Sequence, residues 1–134
     1  LPSKRQLFYV KPRIESADLK RGDFVVARAG SLTYEGLDQK TKQWTRLSTY
    51  GGKLVENITQ AVARDCLAES MLALDAQDYE QLFTVHDEIV IEVQQDCHAL
   101  KEVQEIMGRP IVWAPGLPLR AEGFETPYYL KEID

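Results

Sequence analysis

The amino-acid sequence predicts an α+β fold: an antiparallel sheet backed by a long helix and a second, shorter helix, in a single domain over 1–134. Three observations carry this prediction. Residues 53–77 contain neither Pro nor Gly and repeat their apolar positions at helical spacing. Two pairs of β-type runs, 32–36 with 43–47 and 82–85 with 89–93, flank short polar segments that read as hairpin turns. A shorter helical pattern follows over 96–108.

With 44% hydrophobic and 28% charged residues, the chain has the composition of a globular domain long enough to bury a core. No apolar run approaches the roughly 18 residues of a membrane span, so no membrane partner is expected. Leu1-Pro2-Ser3-Lys4-Arg5 has no apolar stretch behind it to act as a secretory signal, and with Leu first the chain reads as the interior of a longer protein. Cys66 and Cys97 fall on different expected helices; they are too few for a disulfide framework, and His98 beside Cys97 has no second pair to complete a zinc site. Two reduced thiols in a cytoplasmic protein are the expectation.

The net charge of −5 is unevenly spread. Residues 1–53 hold eleven Lys and Arg against five Asp and Glu, whereas residues 54–134 hold five against sixteen. That division fits a protein that grips phosphate with one part and holds divalent metal with the other, and it also fits a plain polar surface.

Residues 1–49 form a β-rich basic segment. Within it, 6–10 is a short β-type run and Lys11-Pro12-Arg13 a loop, while 15–30 is a charged surface excursion with a strand near 24–27. The runs 32–36 and 43–47 then make a hairpin turning at Asp38-Gln39-Lys40. At Ser48-Thr49-Tyr50-Gly51-Gly52 the pattern breaks, and the long helix of 50–77 begins.

Along that helix Val55, Ile58, Val62 and Cys66 recur at i, i+3, i+7 and i+11, and Ala63, Leu67, Met71 and Leu74 continue a neighbouring stripe. These are the expected core face. On the opposite side Lys53, Asn57, Gln60 and Arg64 recur at i, i+4, i+7 and i+11. Two cations and two amides in one row suit phosphates, sugars and minor-groove acceptors, and a solvated face accounts for them equally simply.

The hairpin of 82–94 carries three consecutive titratable residues, His86, Asp87 and Glu88, between apolar runs. Ile89, Ile91 and Val93 alternate with Val90 and Glu92, so the strands present charge at one rim of the sheet. An ordinary polar turn is the plainer account of such a tip. Asp96 is the expected N-cap of the 96–108 helix, whose apolar positions are Leu100, Val103, Ile106 and Met107 and which Gly108-Arg109-Pro110 stops. A loop at 113–118 and a terminal strand segment over 118–130 complete the order, with Leu119, Ala121 and Gly123 on one face.

Three stretches together resemble the C-terminal part of the palm of a family A DNA polymerase, the bacterial DNA polymerase I family, and most of all its phage and prophage branch. Val85-His86-Asp87-Glu88 with its apolar flanks is similar to the family's last catalytic motif. Gln60-Ala61-Val62-Ala63-Arg64-Asp65, about twenty residues upstream, is similar to its Gln-x-x-x-x-Asp helix. Leu1-Pro2-Ser3-Lys4-Arg5 and Leu117-Pro118-Leu119-Arg120-Ala121-Glu122-Gly123 look like flanking segments of the phage branch. The resemblance covers essentially the whole chain.

The resemblance implies a palm-like sheet and templated DNA synthesis, in which a primer 3′-hydroxyl attacks the α-phosphate of a dNTP with two Mg²⁺ ions in the complete enzyme. Asp87 is implied as a metal ligand, and Glu88 as a more dispensable carboxylate beside the metals or the primer end. His86 is implied to position the primer terminus. Gln60, with Lys53, Asn57 and Arg64, is implied to line the minor groove of the primer–template DNA. Besides DNA and dNTP, the implied partners are the remainder of the polymerase chain and, through an exposed sheet edge, a second copy of this one. One departure concerns the helix: in much of the family an Asn stands four residues before the helix Gln, and here that slot is Glu56, with Asn57 one place later. Another is that the family's second catalytic Asp and its dNTP-gripping Lys helix have no counterpart in this sequence, so the chain alone is expected to be inactive.

The alternative is a non-catalytic DNA-binding module using the basic half without metal chemistry. A metal hydrolase built on His86, Asp87 and Glu88 lacks ligands, since the only other His is His98 and consecutive strand residues cannot all face one ion.

Overall fold

Among the described residues, five strands and two helices, in the order β1 (Val10–Arg21), β2 (Phe24–Leu37), β3 (Trp44–Thr49), α1 (Gly51–Asp75), β4 (Glu80–Val85), β5 (Glu88–Glu92) and α2 (Leu100–Met107), make an α+β fold with antiparallel pairing throughout. A computed structural model describes residues 1–21, 24–95 and 97–130, with backbone alone for 17–21 and 24–29. The strands divide between two sheets, β1-β2-β3 and β4-β5. The chain likewise divides into two compact units: Ser3–Ala61 together with Leu1, and Val62–Asp134 together with Pro2.

In the first unit, β2 is the central strand. The β2–β3 hairpin pairs Leu37 with Trp44 and Leu32 with Thr49, and its turn is organised by Asp38. One Asp38 carboxylate oxygen accepts the Lys40 and Thr41 N–H groups, at 2.9 and 2.7 Å, and the Thr41 hydroxyl at 3.1 Å. This is the local side-chain-to-backbone bonding that makes Asp a turn former. These bonds hold the Asp38 carboxyl below its usual range, the Thr41 backbone N–H contributing most.

Lys11-Pro12-Arg13, expected as a loop, lies inside β1, and the 6–10 run expected as a strand enters β1 only at Val10. The register slips between Val10 and Arg13, and Lys11 has φ +46°. A bulge on an edge strand is where a proline fits a sheet, because its missing N–H need not serve a ladder. Arg46 on β3 fixes that bulge from across the sheet: its guanidinium donates to the Lys11 carbonyl at 3.2 Å, the Thr33 hydroxyl at 3.1 Å and Glu35 at 3.1 Å. The excursion expected over 15–30 is, in its described backbone, the continuation of the β1–β2 ladder.

In the second unit, the inner half of α1 packs through Cys66, Leu67, Ser70 and Leu74, with Leu74 fully buried. The expected core stripe holds there but fails upstream, where Val55 is 62% and Ile58 45% exposed and Ala63 is exposed as well. Ile58 opens onto an apolar groove with Leu1, Leu7, Tyr9 and Leu54. The helix ends in a Schellman motif: Tyr79 N–H bonds the Leu74 carbonyl at 3.2 Å and Asp78 N–H bonds that of Asp75 at 3.0 Å, with Asp78 at φ +60°.

α2 begins later than expected. Asp96 lies outside the described residues; Ala99 occupies the N-cap without a side-chain bond, and the Glu125 carboxylate accepts the Leu100 N–H at 3.1 Å instead. Cys97, expected on this helix, precedes it and is exposed, whereas Cys66 is buried; both are free thiols. The terminal segment 118–130 forms no strand. A strand needs a ladder partner, and this segment instead holds to its neighbours by side chains, Glu125 on α2 and Tyr129 on Phe83.

Candidate functional site

Val85 pairs with Glu88, so only His86 and Asp87 lie outside the β4–β5 ladder. The turn is therefore a two-residue one, and His86 adopts φ +54° at its first position. Two-residue hairpins favour left-handed conformations there because these match the strand twist, and glycine is the usual occupant. A histidine in that conformation is strained, a condition that clusters at functional sites. His86, Asp87 and Glu88 are all exposed.

The ribbon is held from both ends of its own unit. Gln81 on β4 donates to the Met71 carbonyl of α1 at 2.8 Å. Phe83 meets the Tyr129 ring edge-on at 5.2 Å. The inward–outward alternation expected along β5 is weak, for Ile89, Val90 and Ile91 are all half-buried. Among the described residues the ribbon has two strands, with no third to select one buried face.

On α1, Lys53 and Gln60 are exposed, as is Arg64 further along the same row. Asn57 is half-buried, and its amide donates to the Tyr9 hydroxyl at 3.2 Å. Tyr9 in turn sits edge-on to Tyr34 at 5.0 Å, which ties this amide to the three-stranded sheet. Glu56 accepts the Lys53 ammonium on both carboxylate oxygens at 2.9 Å, and the Gln60 amide on one of them at 3.5 Å. Sequence reasoning assigned no role to Tyr9 or Glu56. Glu56 was detectable from its i, i+3 and i, i+4 spacing to Lys53 and Gln60; nothing in the sequence ties Tyr9 to Asn57.

Part of the basic half is neutralised internally. Glu35 binds Lys11 at 2.9 Å and Arg46 at 3.1 Å, and the Lys11 hydrogen bond leads the effects that hold the Glu35 carboxyl below its usual value. Among the described residues no group of three or more His, Cys, Asp or Glu is placed to hold a metal ion. Asp87 and Glu88 can supply hard oxygen donors to an ion that other groups complete, which is the way Mg²⁺ is commonly held. No helix of the described residues is long and apolar enough to cross a membrane.

Fold and site together define an α+β chain with carboxylates at the tip of a β-ribbon and a row of amides and cations on a long helix. In sequence it is similar to the DNA polymerase of Bacillus phage SP02, with 51% identity over 132 residues, 98% of this chain. The chain spans 19% of that polymerase's length, so the similarity is to one segment of it. No protein-family model matches the chain, and no solved structure matches it significantly.

Proposed function

We propose that this chain is the C-terminal part of the palm of a family A DNA polymerase of the phage branch, which in the complete protein transfers nucleotides from dNTP to a primer 3′-hydroxyl on a template. The observation that carries this reading is the strained two-residue turn that holds Asp87 clear of the ladder, in a chain 51% identical over 132 residues to a phage DNA polymerase.

Asp87 and Glu88 fit Mg²⁺ by donor chemistry, being adjacent exposed carboxylates that leave room for water and phosphate oxygens. When bound, Mg²⁺ supplies positive charge that stabilises the attacking and leaving oxygens of an in-line displacement. In this reading Asp87 is the principal ligand, and Glu88, fixed by its pairing with Val85, is the auxiliary carboxylate. His86 orients the primer terminus. Gln60 and Arg64, with Lys53 and Asn57, face the primer–template minor groove, where donors read acceptors common to every base pair.

The exposed apolar side chains of Val55 and Ile58 on α1, and of Leu82 and Phe83 on β4, support the remainder of the polymerase as partner, since uncovered apolar surface marks contact sites. The unpaired outer edges of the two-stranded ribbon support self-association of the chain by itself. Alone it does not polymerise, because the family's second catalytic Asp and its Lys-bearing helix have no counterpart in this sequence.

Reading the coding DNA upstream of Leu1 tests this. An open frame with a strand-borne Asp and a helix with spaced Arg and Lys is expected. A start codon beside Leu1 would contradict it and favour the non-catalytic DNA-binding module, which the basic first half independently supports.

A further inference from the structure

We infer that Glu56 is a positioning residue of the α1 row: it holds Lys53 away from phosphate and fixes which end of the Gln60 amide is offered to DNA. The inference rests on the reading of Lys53 and Gln60 as DNA-facing residues. Two side chains, one turn before and one turn after it, share the Glu56 carboxylate. Lys53 Nζ lies 2.9 Å from both Glu56 oxygens, and Gln60 Nε2 lies 3.5 Å from Oε1. Lys53 and Glu56 are each about half exposed, so the pair stands on the surface of the row rather than in the core.

Each bond has a chemical consequence. A carboxylate only accepts, so Gln60 must turn its NH₂ toward Glu56, and the second N–H of that amide remains to donate. Minor-groove purine N3 and pyrimidine O2 atoms are acceptors, and a donor is what they require. With Lys53 bound on both oxygens, the row presents one fewer uncompensated cation to the phosphates. The ion pair raises the Lys53 pKa, the Glu56 hydrogen bond being the largest cause. Glu56→Gln removes the charge, frees Lys53 and lets the Gln60 amide flip.

The test is fluorescence anisotropy of a labelled primer–template duplex titrated with the 134-residue chain over a range of salt. Each phosphate contact adds about 0.9 to the slope of log K against log salt. The expected result for Glu56→Gln is a slope steeper by about 0.9 and, at about 0.1 M salt, roughly five- to tenfold tighter binding. Lys53→Ala with Glu56→Gln should return the slope to that of the wild type. Wild-type binding with an unchanged slope in Glu56→Gln overturns the inference and leaves the DNA-facing row standing. Absence of duplex binding by every form overturns both. A second measurement needs no DNA: NMR titration of the Lys53 ammonium should show its pKa falling in Glu56→Gln, and an unchanged value refutes the pairing.

Discussion

Val85 and Glu88 are directly paired across β4 and β5, and the two residues between them turn the chain through a histidine at φ +54°. The hairpin therefore bears local strain at the residue beside its exposed aspartate. His86→Gly removes that strain, because glycine adopts positive φ freely, though it adds entropy to the unfolded chain. The net expectation is about 0.5–1 kcal/mol of added stability, seen as a melting midpoint higher by about 2–4 °C. On the proposed function, the same variant in the complete protein should extend primers more slowly. A lower midpoint would mean that the His86 side chain stabilises the turn.

Leu74 is fully buried on α1 and lies at the start of the Schellman motif that ends the helix. Leu74→Ala should destabilise the chain by about 2–5 kcal/mol, the cost of lost burial plus a residual cavity. Urea unfolding measures this, and a loss below about 1 kcal/mol would place the core of the second unit elsewhere.

Asp38 and Glu35 give the first unit an acid-side stability term. Backbone N–H donors hold the Asp38 carboxyl down and Lys11 does so for Glu35, so both folded values lie below the unfolded ones. Their contribution is present above the ordinary carboxylate range and is lost as pH falls through the depressed values. Asp38→Asn should be less stable than wild type near neutral pH and should converge with it as pH falls through the depressed Asp38 value. A constant difference across that range would show that Asp38 acts without its charge.

Much of the fold was legible because its signals are local. The Asp38 turn, the His86-Asp87 turn and the uninterrupted run of α1 each follow from residues within a few positions of one another. What escaped depends on partners distant in sequence. Pro12 reads as a loop residue until Arg46 is seen bridging to Lys11, and 118–130 reads as a strand although it has no ladder partner among the described residues. Val55 and Ile58 read as core because helical periodicity identifies an apolar face without revealing what covers it. For the candidate site, sequence reasoning identified the row and the exposed triplet. Glu56, at the right spacing to hold Lys53 and Gln60, was noticed only as a substitution for Asn.

The most direct test of the proposed role is single-nucleotide incorporation by the complete polymerase carrying Asp87→Ala, measured alongside its affinity for primer–template DNA. The predicted result is a loss of incorporation of roughly 10³-fold, about 4 kcal/mol of transition-state stabilisation, with DNA affinity within severalfold of wild type. Undiminished incorporation would contradict the assignment of Asp87. Loss of incorporation and DNA binding together would mean that the residue serves the fold instead.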